Sequence, residues 1–145
     1  MNVTRKFTDG LESPYQGLNF VPRKSEIRNP NGSTAFLAEK VLVPDGWSQV
    51  ATDIIAQKYF RKAGIPAITR AVKEKGIPEW LMRSTADKTA LKKLDPKERY
   101  VGESDSRQVF NRLAGCWTYW GWKEEIFSSE DDAKIFYDEL RFMLA

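Results

Sequence analysis

Histidine is absent from these 145 residues, and cysteine occurs once, at Cys116. The first absence removes the commonest metal ligand and the one side chain that titrates near neutrality in its ordinary state. The second excludes an internal disulfide. Ser/His/Asp and Cys/His nucleophile arrangements cannot be assembled from such a chain, and neither can an ordinary zinc site. No apolar run approaches the roughly 18 residues that a membrane span requires. Residues 1–10 are polar and lack the apolar h-region of a secretory signal, so the expected location is cytoplasmic. Neither G-x-G-x-x-G nor G-x-x-x-x-G-K-[ST] occurs, which leaves no glycine-rich phosphate loop. From the residues alone, no catalytic, cofactor-binding or metal-ligating position can be assigned.

What the chain does have is the composition of a globular domain: 41% hydrophobic and 30% charged residues. A chain of this length suits one domain and can bury roughly two-thirds of its unfolded surface. The net charge of +3 is unevenly spread, because residues 101–145 carry 5 basic against 9 acidic side chains while residues 1–100 carry 18 against 11. A basic N-terminal part could attract nucleic acid or nucleotide phosphates, but a solvated charged face is the commoner meaning of such a bias.

Taken in order, residues 1–19 contain Gly10, Pro14 and Gly17 among polar residues without a sustained period, and read as an extended arm that needs a surface to lie on. Residues 20–145 read as one mainly helical α+β domain. Residues 20–43 form a β-hairpin by pattern, with Asn31-Gly32 a two-residue turn signal between Phe20–Arg28 and Thr34–Val43. A helix is predicted over 47–63, with Trp47, Ala51, Ile55 and Tyr59 in one buried stripe, Gly64 as its C-cap and Lys58, Arg61 and Lys62 in its last turn. Pro66 suits the first position of a second helix over 66–75, stopped by Gly76. Residues 84–102 are poor in apolar side chains and read as an exposed connector with one short helix near Ala90.

The stretch from Asp105 to Trp122 dominates the sequence, holding three of the five tryptophans and the one cysteine. Asp105 and Gln108 make a capping arrangement for a helix over 105–122. Val109, Phe110, Leu113, Ala114, Trp117 and Trp120 recur at helical spacing in one wide apolar face. Gly115 and Gly121 are costly inside a helix, by roughly 1 kcal/mol each, so close approach of another backbone is the expected compensation. A last helix over 129–145 starts at Ser128 or Ser129 with Glu130, Asp131 and Asp132 in its first turn. Its apolar period is still at full amplitude at Ala145, as in a chain divided within a longer architecture.

Tryptophans beside arginines can stack nucleobases. Stacking platforms, however, usually present aromatics from strands or loops, and these lie at helical spacing within an apolar stripe, which favours core packing. Cys116 has no histidine to activate it and bulky apolar neighbours, so the expectation is a small buried side chain.

Four runs carry a resemblance: S-E-I-R-N-P-N-G-S (Ser25 to Ser33), W-S-Q-V-A-T-D-I-I-A-Q-K-Y-F-R-K-A-G-I-P (Trp47 to Pro66), R-L-A-G-C-W-T-Y-W-G-W-K (Arg112 to Lys123) and F-Y-D-E-L-R-F-M-L-A (Phe136 to Ala145). In order and spacing the chain resembles the N-terminal region of the adenosylcobalamin-dependent, class II ribonucleotide reductases. The resemblance implies a helical N-terminal part preceding a ten-stranded α/β barrel, which reduces ribonucleotides by a thiyl radical that the cobalamin generates. It also implies that the radical cysteine, the redox cysteine pair and the substrate loop lie beyond the position of Ala145. Two departures stand out: Cys116 occupies a position where threonine is expected, and Lys123-Glu124-Glu125 replaces a glycine-rich continuation.

The resulting expectation is a structural segment or split subunit of the reductase, not catalytic alone, that binds no cofactor itself. Its partner is the C-terminal barrel, with adenosylcobalamin in the complete enzyme and a ribonucleoside diphosphate or triphosphate as substrate. Two other readings remain: a free-standing nucleotide or nucleic-acid binding module, and a regulatory mimic of the reductase N-terminal domain.

Overall fold

The computed structural model describes residues 1–145 as a small α+β domain. Strands β1 (Phe20–Arg28) and β2 (Thr34–Pro44) pair antiparallel, and irregular register at Arg23/Ser25 and Ile27/Arg28 twists the ribbon. The turn between them is wider than the Asn31-Gly32 signal predicts. It spans residues 29–33, with Gly32 at φ +83° and its N–H bonded to the Asn29 carbonyl. Val41 and Val43 on β2 are fully buried and form a core with Ile55, Ala56, Phe60, Val109 and Phe110.

Helix α1 (Gln49–Ile54) starts from Ser48, whose side chain accepts the Ala51 N–H, and runs directly into a π-helical turn, Ile55–Tyr59. Ile55 and Ala56, at the start of this turn, are both buried in the core. Helicity then stops. Phe60 is extended at ψ 129°, so the helix predicted over 47–63 is shorter at its C-terminal end. Gly64, at φ +80°, lies four residues beyond the C-cap Phe60 and does not cap the helix. Of the three basic residues predicted for the last turn only Lys58 lies there. Arg61 instead binds Glu103, and the Lys62 ammonium sits 4.3 Å from the Phe36 ring centroid.

The helix predicted over 66–75 is not formed. The same residues contribute β3 (Ile65–Pro66) and β4 (Thr69–Ala71), and the segment predicted as a connector supplies their partners. These are β5 (Ser84–Ala86), which pairs with β4, and β6 (Tyr100–Val101), which pairs with β3, both antiparallel. A short 3-10 turn, Glu79–Leu81, and helix α2 (Lys88–Leu91) lie between, and Leu91 is buried. Ladder bonds to a distant strand satisfy backbone groups that a ten-residue helix would leave open at both ends.

Helix α3 (Ser106–Lys123) begins with a complete capping box from Asp105 and Gln108. It ends at Glu125, where φ is +52°, with the Glu125 and Ile126 N–H groups bonded back to the carbonyls of Trp122 and Gly121. This is a Schellman termination with glutamate in the left-handed position that glycine prefers. Helix α4 (Glu130–Leu144) is capped by Ser129 and packs along α3.

The N-terminal residues lie on α4. Glu139 accepts the backbone N–H groups of Lys6, Phe7 and Thr8 and the Thr8 hydroxyl, at 2.7–3.1 Å. Phe7 stacks on Phe142, Arg5 pairs with Asp138, and Asp132 accepts the Val3 N–H. No helix is long and apolar enough to cross a membrane.

Candidate functional site

Helix α3 carries three stripes where the sequence suggests one. Ser106, Val109, Phe110, Ala114, Thr118 and Gly121 are buried against the rest of the domain. Thr118 tolerates this because its hydroxyl donates to the Ala114 carbonyl at 2.7 Å. A second stripe, Val109, Phe110, Leu113 and Trp117, lines an apolar groove, and a third, Arg112, Gly115, Cys116 and Tyr119, lines a larger cavity on another side.

The groove has a volume of about 510 Å³ and its ten lining residues are all hydrophobic. Trp47, Ala51, Ile54, Ile55 and Tyr59 form its first wall, so the stripe expected to be buried is instead half open. Ile54 is 49% and Tyr59 52% exposed, and across the groove Trp117 is 44% exposed. Val50 and Trp120 are exposed as well, at 67% and 58%. The expectation that the tryptophan run is core packing fails at these two positions: Trp117 and Trp120 face outward, because Ala114, Thr118 and Gly121 occupy the buried line of the helix. Leu144 closes one end of the groove. The floor is firm, since Ile55, Val109 and Phe110 are buried and the Trp47 ring lies 5.7 Å from Phe110. Trp47 is itself held by its indole N–H, which donates to the Ala145 carbonyl at 2.8 Å, and by Arg23, which donates to its backbone oxygen.

The cavity on the other side has a volume of about 860 Å³ and includes Arg61, Arg83, Arg112, Trp80, Tyr119 and Tyr137 in its wall. Its cations are already engaged. The Glu103 carboxylate, almost wholly buried, accepts from Arg112 Nε and Nη2, from Arg61 Nε and from the Arg61 backbone N–H. Burial pushes the Glu103 pKa up, but the Arg112 and Arg61 bonds outweigh it and hold the carboxyl below its ordinary value. Glu74 accepts from Lys123, Tyr119 and Arg83, with the Lys123 bond the largest cause of a pKa drawn down to about 2. Cys116 opens onto this cavity and is exposed, contrary to the buried position expected of it. Its place on α3, one turn from Arg112 and Tyr119, decides this and not the bulk of its sequence neighbours. Gly115 meets only Tyr137, at an ordinary 3.8 Å. At Gly121 the close neighbour is the Phe127 ring and not a backbone: a Cβ there would stand 2.7 Å from it.

No group of three or more histidine, cysteine, aspartate or glutamate side chains is gathered as a metal ion would require. Neither hollow offers free cations or a set of metal ligands to a cofactor. The groove offers only apolar side chains, and the cavity's arginines are taken by carboxylates.

Fold and surface together define a small α+β domain whose most distinctive feature is an unfilled apolar groove on a firm floor. Residues 21–145 match the family described as class II vitamin B12-dependent ribonucleotide reductase. The chain is 54% identical over its whole length to the vitamin B12-dependent ribonucleotide reductase of Bradyrhizobium diazoefficiens and 52% identical to that of Agrobacterium fabrum. It belongs to this family and corresponds to the N-terminal domain of its members. The chain spans only 11–12% of the length of these two relatives.

Proposed function

We propose that this domain is the N-terminal structural part of an adenosylcobalamin-dependent ribonucleotide reductase. It supports, without performing, the reduction of ribonucleotides to deoxyribonucleotides for DNA synthesis. The match over residues 21–145 carries this reading. In it, the domain precedes an α/β barrel that bears the reacting cysteines and, when loaded, the cobalamin that supplies the radical chemistry. This chain's own residues bind, cap and pack: Glu103 ties Arg61 to Arg112, Glu139 ties the N-terminal arm to α4, and the groove offers a dry apolar surface. The setting is the cytoplasm.

The purified 145-residue chain, supplied with adenosylcobalamin, a dithiol and ribonucleoside di- or triphosphates, is expected to give no deoxyribonucleotide. Deleting the corresponding residues from a full-length reductase should abolish or severely reduce its turnover, and restoring this sequence in frame should return it. Turnover by the isolated chain, or full activity of the deleted enzyme, would overturn the reading.

The exposure of Trp117 and Trp120 gives one observation to the nucleic-acid binding alternative. Against it, a strand needs cations along its phosphates, and none lines the groove beside Trp117. Tryptophan quenching by single-stranded oligonucleotides that weakens with added salt would favour that alternative.

A further inference from the structure

We propose that the groove between the Trp47–Tyr59 segment and α3 is the seat on which the remaining polypeptide of the reductase docks, through the apolar face of an amphipathic helix. The inference rests on the structural reading above and names the surface that performs it.

Four observations carry it. First, the apolar exposure is concentrated at the groove. Ile54, Tyr59 and Trp117 line the groove and are each close to half exposed, and Val50 and Trp120, one helical turn from Ile54 and Trp117, are exposed as well. Patches of this kind on a stable domain mark interfaces more often than incidental surface. Second, the groove is finished and not a loosened core. Val109 and Phe110 are buried beneath it, and Trp47 is pinned to the end of α4 by its indole bond to Ala145. Third, the lining contains no charged side chain and only the Tyr59 hydroxyl and tryptophan N–H groups as polar atoms. An occupant that put a charge there would leave it without a partner, which is costly. A helix presenting leucine-like side chains at i, i+3, i+4 and i+7 into a groove between two helical walls satisfies both shape and chemistry. Fourth, nearly nine-tenths of the length of the related reductases lies outside the part this chain matches. Helix α4 delivers Leu144 to the groove wall and Ala145 to Trp47. A reductase chain continuing past this position therefore leaves at the edge of the groove, within reach of it.

The experiment compares side-chain oxidation by hydroxyl radicals, read by mass spectrometry, in the 145-residue chain and in the same sequence fused in frame to the rest of the B. diazoefficiens enzyme. Oxidation of Trp117, Ile54 and Tyr59 is expected to slow on the order of tenfold in the long chain as these side chains pass from half-exposed to buried. Leu37 on β2, exposed but outside the groove, is expected to oxidise equally in both. Equal oxidation of Trp117 in the two chains would overturn the proposal, as would protection that appears at Leu37 and not in the groove. Protection of Trp117 in the short chain that grows with concentration would show a second copy as the occupant and would also overturn it.

In the long chain, Ile54→Lys and Trp117→Lys should lower turnover severalfold, and Leu37→Lys should not. Thermal unfolding of the short chain carrying the same substitutions guards against misfolding, and a midpoint close to that of the unsubstituted chain is expected. If deletion of the segment abolishes activity while both lysine variants stay fully active, the docking site is wrong and the structural reading stands. If the deleted enzyme is fully active, the structural reading itself has failed.

Discussion

Glu139 shows how much one side chain organises here. Burial pushes its pKa up, but the Thr8 hydroxyl and the backbone N–H groups of Phe7, Thr8 and Lys6 outweigh burial and bring it down from 4.5 to about 2. A folded pKa below the unfolded value means stabilisation that is complete above about pH 4.5 and lost as pH falls toward 2. Glu139→Gln should therefore cost about 2 kcal/mol at pH 7, the scale of hydrogen bonds to a charged group. In urea titrations the gap between the two proteins should shrink steadily from pH 4.5 to pH 2; a gap that stays constant would contradict the assigned role. None of this was legible in the sequence, where Asp138-Glu139 looks like solvated helix surface. The bonds come from an arm 131 residues away, and local pattern carries no such information. Cys116 and Trp117 are exposed where the sequence predicts burial, for a related reason. Hydropathy marks them as apolar but does not say which of three stripes on α3 faces the interior.

At the scale of elements, the signals that are local in physics were the ones legible in sequence. The Asp105–Gln108 capping box and the Ser129 cap appear where their chemistry predicts, whereas Gly64 and Gly76 have the positive φ that suits glycine but end neither of the helices predicted before them. The segment 66–75 was not legible, because Pro66 and Gly76 bracket a strand-turn unit as well as they bracket a helix. The deciding partners, Ser84–Ala86 and Tyr100–Val101, are distant. Two substitutions test the elements. Glu125→Gly relieves a left-handed residue at the end of α3 and should raise stability by roughly 0.5–1 kcal/mol, read as a higher urea midpoint at unchanged slope. Gly102→Ala should do the reverse. A Cβ there would stand 2.6 Å from the Lys62 carbonyl oxygen, and backbone cannot yield as a side chain can. The expected loss is about 2–3 kcal/mol, well beyond that of Gly121→Ala, where the Phe127 ring can turn aside and helix propensity returns roughly 1 kcal/mol.

For the whole molecule, the groove makes the isolated domain more apolar on one side than its overall composition suggests. The folded chain at neutral pH should bind the dye ANS in a saturable manner, and Trp117→Lys should remove most of that fluorescence without loss of cooperative unfolding. Dye binding that persists in the variant, or that appears only as the chain unfolds, would show the groove to be closed in solution. The family was legible in the sequence through long runs such as Trp47 to Pro66. The groove was not, because each of its walls alone reads as an ordinary buried helical stripe. Only their meeting, with nothing laid between them, distinguishes a surface awaiting a partner from a core.

The clasp between residues 6–8 and Glu139 also sets an order of events. Thr8 and Glu139 are 131 residues apart, so at about 5–20 residues per second the arm is made several seconds before the carboxylate that holds it. Closing so long a loop comes late on the folding route. The clasp therefore contributes little to the speed of folding. Its effect falls on the reverse process: the arm is bonded to α4 through Thr8 and Glu139 and to α3 through Tyr15 and Asn111, so a contact that assembly hardly uses must be given up when the two helices part.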